Sequence, residues 1–165
     1  IYNNSRCIID FHYMRIRSYL WHLWNRELDG VHFWALDRGW DQAWTDPRCA
    51  TALEANGNGY FLYGARDSSE EPAVKSIRLE LIREGIEDYE YIFLLSSLID
   101  DAVKDGVQQS VIDSAQSVLN RTWQVTWDAT RIKPTDNEPY TKNSQLLYEI
   151  RDQMAEQILK LKALN

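Results

Sequence analysis

The chain has 165 residues, which is room for one ordinary domain. Hydrophobic residues make up 44% of it and charged residues 26%, a globular composition that excludes a disordered chain. The net charge is −7 without any cluster of Lys and Arg, so we expect neither nucleic acid nor an anionic membrane as a partner. The longest apolar runs are far shorter than the roughly 20 residues that span a bilayer, so we expect no membrane span.

The first 64 residues carry the pattern of an α/β unit. Asp10 is predicted to cap a helix that ends near Leu28, because apolar residues recur at helical spacing up to the Asp29-Gly30 stop. The continuous apolar run 31–36 predicts a strand buried on both faces, which is typical of a parallel sheet or barrel. A loop is predicted for residues 37–47, and a short aromatic strand for residues 60–63.

The remaining residues, 65–165, are predicted to be mainly helical. After a polar loop over residues 65–75, Ser76 is a suitable N-cap for a long helix that reaches about Ile99. Apolar stripes predict two more helices, over about 108–123 and 144–163. We therefore predict an α/β chain with two parts, 1–64 and 65–165, the second an appended helical layer.

The predicted strands are too few to form a closed sheet. Two or three strands leave unpaired edges and one large apolar surface. The chain also begins at Ile1 instead of Met. We therefore expect a piece of a longer polypeptide, or one from which a segment was removed. Either the upstream part or a second copy is expected to cover the open edge.

Two motifs carry a resemblance to a known family. Residues 57–63 read Gly-Asn-Gly-Tyr-Phe-Leu-Tyr, and residues 76–91 read Ser-Ile-Arg-Leu-Glu-Leu-Ile-Arg-Glu-Gly-Ile-Glu-Asp-Tyr-Glu-Tyr. This pair resembles the C-terminal signature of glycoside hydrolase family 123-like proteins. There, a Gly-Asp-Gly-x-Leu-x-Tyr strand precedes a Ser-x-Arg-x-Glu-x-x-Arg-Asp-Gly-Ile-Glu-Asp-Tyr-Glu-Tyr helix. Upstream, Arg17, Trp21 and Trp24 are similar to an Arg-x-x-x-Trp-x-x-Trp helix, and residues 30–34 to a Gly-Phe-Leu-Tyr-Trp strand.

The resemblance implies a fold and an activity. The family is a (β/α)8 barrel, so residues 1–40 would form its last two strands and the helix between them, with the helical layer after them. Members remove terminal β-linked N-acetylgalactosamine, with the 2-acetamido group of the substrate as nucleophile. Their Asp-Glu pair lies on an earlier strand, so this chain is expected to contain no catalytic residue. Glycan hydrolases of this type are usually exported, which implies a secreted or periplasmic protein.

Four residues are candidates for substrate binding. Trp34, Asp37 and Trp40 lie at or just beyond the carboxyl end of the predicted 31–36 strand, where a (β/α)8 barrel holds its active site. A Trp ring could stack on a sugar, and Asp37 could accept hydrogen bonds from hydroxyl groups. Asn4 follows the preceding strand. The alternatives are a core role for Trp34, a cap for Asp37 and an ordinary turn for Asn4; Asp37 also replaces the Asn expected from the family.

Glu87 and Asp88 are adjacent carboxylates, but we assign them to structure. Adjacent helical residues point about 100° apart and do not converge on one atom. We expect Arg83 to pair with Glu87 and Glu80, and Arg17 to serve in surface pairing or helix packing. No cofactor and no metal are expected, because these residues lack ligand spacing: His12, His22, His32, Cys7 and Cys49.

Three functions from different classes fit these observations. The first is the C-terminal part of a glycoside hydrolase of the family 123 type, with carbohydrate as its partner. The second is a non-catalytic carbohydrate-binding barrel. The third is a helical scaffolding or interaction domain that uses the apolar stripe of residues 147–161.

Overall fold

The computed structural model describes residues 7–33, 35–37, 42–48, 56–67, 73–126 and 140–164. Its regular elements, in chain order, are α1 (Met14–Asn25), β1 (Leu62–Gly64), β2 (Ala73–Lys75), α2 (Ile77–Lys104), α3 (Gln109–Leu119), a single 3-10 turn (Asn120–Thr122), α4 (Trp123–Thr126) and α5 (Ser144–Lys162). The helix-rich character expected from the sequence is therefore confirmed.

Helix α1 is shorter than predicted at both ends. Its N-cap is Tyr13, so the prediction of an Asp10 cap is wrong. The Asp10 carboxylate instead accepts a hydrogen bond from Asn56 Nδ2 at 2.8 Å. At the other end, Leu28 N donates to the Leu23 carbonyl at 3.0 Å, and Glu27 takes a left-handed conformation with φ of 52°. This is a Schellman ending, which stops the helix before the Asp29-Gly30 pair.

The strand predicted for 31–36 does not form as a regular strand in the part of this segment that the structure describes. Val31 takes part in an isolated β-bridge, and Asp37 pairs antiparallel with Tyr60 in another. The Leu36 carbonyl accepts hydrogen bonds from Phe61 N and Leu62 N, both at 2.8 Å. An apolar run becomes a regular strand only where a neighbour pairs along its length, and periodicity alone does not supply that neighbour.

A β-hairpin occupies part of the predicted loop 65–75. Strands β1 and β2 pair antiparallel, with Leu62 opposite Lys75 and Gly64 opposite Ala73. The prediction of a loop through residue 75 is therefore wrong at β2. Three residues are too few for a reliable alternating pattern, so the strand has little sequence signal.

Ser76 caps α2 as predicted, and its hydroxyl accepts a hydrogen bond from Leu79 N at 3.3 Å. The helix continues five residues beyond the predicted end, to Lys104. It stops where Gly106 adopts φ of 71° and Val107 N donates to the Ala102 carbonyl at 3.0 Å. Helix α5 matches its prediction closely, with Asn143 as its N-cap.

The largest hydrophobic cluster joins α1 to the later helices. Met14 and Trp21 of α1 are buried in it together with residues from α2, α3, α4 and α5, for example Leu95, Ala115 and Met154. Smaller hydrophobic clusters include loop residues, and in one of them Phe61 is buried together with Ile82. The division at residues 64 and 65 stays a prediction. In the described ranges, none of the helices has both the length and the apolar character to cross a membrane.

Candidate functional site

Asp37 is the one predicted site residue that lies within the described part of the chain. It is exposed, and its backbone pairs with Tyr60 just before β1. Asn4, Trp34 and Trp40 fall outside the described residues, so their grouping with Asp37 stays a prediction. The alternative core role of Trp34 stays open for the same reason.

Trp44 is an exposed aromatic residue that the sequence analysis did not select. Its indole N–H donates to the Gly64 carbonyl at 2.6 Å, while 44% of the residue stays exposed. The Tyr63 ring lies beside it, with 4.8 Å between centroids, and the Arg66 guanidinium lies 4.9 Å from the centroid of the indole. An anchored, half-exposed ring of this kind offers a flat surface to a ligand.

Asp37 and Trp44 are therefore attached to one short segment. Asp37 pairs with Tyr60, and Trp44 contacts Tyr63 and Gly64. We call Asp37, Trp44 and Tyr63 the Trp44 surface, because Tyr60 and Gly64 are themselves buried. The signal that could have found Trp44 was its place in the predicted loop 37–47, together with Asp37.

Arg78 holds the segment that carries the Trp44 surface. This residue is 5% exposed, although it bears a full charge. Its guanidinium donates to the Cys7 carbonyl at 2.9 Å, to the Tyr63 hydroxyl at 2.9 Å, and to the carbonyls of Gly57 and Tyr60. One side chain thereby donates to three loop carbonyls, of which that of Gly57 also accepts the Tyr60 N–H at 3.0 Å.

Gly57 makes this arrangement possible. It has φ of 73°, and a Cβ built there would lie 2.5 Å from Arg78 Nη1. Only glycine takes this conformation at low cost, and only glycine leaves room for the guanidinium. The first glycine of the Gly-Asn-Gly motif is thus explained by the room that it leaves for the Arg78 guanidinium.

Asp88 is the most deeply buried carboxylate among the described residues, and its partners are structural. Arg17 Nε and Nη2 donate to its two oxygens at 2.7 and 2.9 Å, and Trp21 Nε1 donates at 3.1 Å. Arg151 Nη1 lies 3.3 Å from Asp88 Oδ1, and Arg17 Nη1 donates to the Tyr148 hydroxyl at 2.9 Å. The expectation that this carboxylate serves structure is confirmed, and Arg17 proves to be a buried packing residue.

Arg17 stays charged in this environment. Burial acts to lower the pKa of its guanidinium, but the hydrogen bond and the charge of Asp88 outweigh burial and raise the pKa above its ordinary value. The Asp88 carboxylate is thus held by two arginines and by the Trp21 indole.

The outer carboxylates of α2 form the surface pairs that the sequence predicted. Arg83 Nε donates to Glu80 at 2.7 Å, and Arg83 Nη1 donates to Glu87. Arg83 also lies 2.9 Å from Glu84. Within the described ranges, no group of three or more His, Cys, Asp or Glu is arranged to hold a metal ion.

Comparison with known families places this chain among the glycoside hydrolases. The family that matches is glycoside hydrolase 123, catalytic domain, over residues 5–95, which is just over half of the chain. The chain belongs to this family, and the resemblance seen in the sequence is confirmed. A search of curated proteins gives no match.

Proposed function

We propose that this chain is the C-terminal part of a glycoside hydrolase that acts on terminal β-linked N-acetylhexosamine, first of all N-acetylgalactosamine. The observation that carries the proposal is the family match over residues 5–95. Catalysis would be substrate-assisted, with the 2-acetamido group as nucleophile and an Asp-Glu pair upstream of this chain. Residues 1–64 would then complete a (β/α)8 barrel, against the upstream part or a second copy.

The role proposed for this chain is to form one wall of the sugar-binding site. Asp37, Trp34, Trp40 and Asn4 are the proposed contacts, and the exposed ring of Trp44 is added to them. An aromatic plane suits the C–H face of a sugar ring, and a carboxylate accepts hydrogen bonds from its hydroxyl groups. We propose a secreted or periplasmic location on the resemblance alone.

A non-catalytic carbohydrate-binding protein is the second candidate. The anchored and exposed Trp44 surface supports it, because a binding wall needs no acid or base. The carboxylates Asp88, Glu84 and Glu87 are all paired with arginines, which also fits a chain that binds without cleaving. The helical scaffolding role predicted from the 147–161 stripe loses its basis, because residues of that stripe such as Leu147, Met154 and Leu161 are buried in the largest hydrophobic cluster.

Activity on an aryl β-N-acetylgalactosaminide tests the proposal. The polypeptide that contains this chain and its upstream strands is expected to release the aryl alcohol, and the 165-residue chain is expected to be inactive. Turnover by the 165-residue chain, lost in Glu87→Gln, would overturn the assignment of the catalytic pair. Binding of the sugar by the longer polypeptide without any turnover would select the second candidate.

Trp40→Ala in the longer polypeptide tests the binding wall. We expect a higher KM with little change in melting temperature, because the ring is proposed to contact sugar. The matched control is Trp123→Ala, which removes a residue that is 46% exposed on α4. An unchanged KM together with a large fall in melting temperature would show that Trp40 belongs to the core.

A further inference from the structure

A pocket opens at the C-terminal end of α1, apart from the Trp44 surface. Its volume is about 540 Å³, which is within the range of small-molecule sites. Two aromatic residues, two carboxylates and two leucines line it: Trp24, Tyr89, Glu27, Asp29, Leu23 and Leu28. The pocket therefore combines apolar walls with negative charge.

The two rings meet nearly at a right angle. Trp24 and Tyr89 have centroids 5.8 Å apart and an interplanar angle of 76°. In this edge-to-face arrangement the edge of one ring is directed at the other ring, and both side chains line the pocket. Each face attracts a cation through the negative charge above the ring. A flat neutral sugar, in contrast, would stack on only one of the two faces.

Glu27 and Asp29 add charge of the matching sign. Both are exposed at the pocket, and no ion pair to either carboxylate forms within the ranges that the structure describes. The chain as a whole is also acidic, with a net charge of −7. Long-range attraction and the local carboxylates therefore both favour a cationic ligand.

We propose that this pocket binds a small soluble molecule with a methylated ammonium group, of the kind that choline carries. The methyl groups would contact the faces of Trp24 and Tyr89, and the carboxylates of Glu27 and Asp29 would balance the charge. The proposal is independent of the proposed hydrolase function, because none of these residues belongs to the Trp44 surface.

Calorimetric titration of the full chain with choline tests the proposal. We expect choline to bind at least about tenfold more tightly than 3,3-dimethylbutan-1-ol, its uncharged carbon analogue, because only choline gains the cation–π attraction. Glycine betaine is expected to bind more weakly than choline, because its carboxylate faces Glu27 and Asp29. Equal binding of choline and the uncharged analogue would overturn the proposal, as would no binding of choline.

Glu27→Gly is the decisive variant, because it removes the carboxylate without a cost in folding. The residue lies at φ of 52°, where glycine is preferred, so its melting temperature should stay equal or rise slightly. We expect its affinity for choline to fall several-fold. The matched control is Glu156→Gln, an exposed carboxylate on α5 that does not line the pocket, which should leave the affinity unchanged. Unchanged affinity in Glu27→Gly, or an equal loss in both variants, would overturn the assignment.

Discussion

Arg17 and Arg78 are both buried, but the two regions of the molecule satisfy them differently. Arg17 lies between helices and binds a carboxylate, that of Asp88. Arg78 lies in the first turn of α2 beside the loops, and its acceptors are three backbone carbonyls and a hydroxyl group. A helix already uses its own carbonyls, so a cation among helices needs an anion. Loops leave carbonyls unpaired, so a cation can be held there by neutral acceptors alone.

This contrast explains why a candidate binding surface lies on the loop side. In the helical region, opposite charges pair inside the protein, and Asp88 is completely buried. The loop region holds Trp44 by one hydrogen bond and leaves 44% of the residue exposed. Rigid helices that support a more open loop surface are a common arrangement for binding sites. Four predictions test the contrast.

Asp88→Ala should have the largest effect. It removes the carboxylate that accepts two hydrogen bonds from the buried Arg17 and leaves, among the described carboxylates, only Glu84 Oε2, 3.6 Å from Arg17 Nη2, so we expect the free energy of unfolding to fall by about 3–5 kcal/mol. Denaturant titration measures this loss. The control is Glu87→Gln on the same helix, where the side chain is 43% exposed and the loss should be small. Equal losses in the two variants would show that burial of the Arg17–Asp88 pair does not increase its contribution to stability.

Gly57→Ala should have the next largest effect on stability, because the added Cβ would crowd the Arg78 guanidinium beside the carbonyls that accept its hydrogen bonds. The added Cβ would lie 2.5 Å from Arg78 Nη1, at φ of 73°. Gly106→Ala is the matched control, because its φ is 71° and nothing lies within 4 Å of the added atom. Backbone conformation alone costs about 1 kcal/mol in each variant, and we expect Gly57→Ala to cost about 1–3 kcal/mol more. Identical melting temperatures of the Gly57→Ala and Gly106→Ala variants would show that the added Cβ does not crowd Arg78.

Trp44→Ala should cost less in stability than either change. The ring loses one hydrogen bond and partial packing, which amounts to about 1 kcal/mol. If the Trp44 surface binds sugar, the dissociation constant should rise about tenfold or more in titrations of the polypeptide that contains the upstream strands. The exposed Trp123 again supplies the control. A loss of stability without a loss of affinity would assign Trp44 to packing.

Much of this arrangement could be predicted from the sequence, but not all of it. The Ser76 cap, α5 and the pairs around Arg83 follow from local spacing, and the structure confirms them. The contacts of Arg78 could not be predicted, because three of its four acceptors are backbone carbonyls, one of them 71 residues away. Side-chain patterns report which face is apolar, whereas they do not report which carbonyls a loop leaves unpaired.

The same limit applies to the candidate site. Asp37 was predicted beyond a regular strand, and the structure shows an isolated bridge to Tyr60 instead. Trp44 lies in a turn within the predicted loop, yet its anchor to Gly64 depends on a hairpin whose second strand, β2, has almost no sequence signal. The roles of Asn4, Trp34 and Trp40 stay predictions.

Asp46 should show the smallest effect, a local pH response with little influence on folding. Its hydrogen bonds to Arg48 lower the pKa of this exposed carboxyl from 3.8 to about 2. Because the pKa is lowered, any stabilisation is present above about pH 4 and is lost as the pH falls toward 2. NMR titration of the side chain measures this value, and Arg48→Gln should return it toward 3.8. A pKa of 3.8 for Asp46 in the unaltered chain would show that its carboxylate does not pair with Arg48.

The separation of Arg17 from its anion also has a consequence for synthesis on the ribosome. Asp88 lies 71 residues after Arg17, and Arg78 lies 71 residues after Cys7. At about 5–20 residues per second, the anion of Arg17 is polymerised roughly 4–14 seconds after Arg17 itself. During that interval α1 carries an unpaired cation and an uncovered Trp21. Because Trp21 is buried in a cluster that also needs α3, α4 and α5, nascent chains should bind chaperones until α5 has emerged.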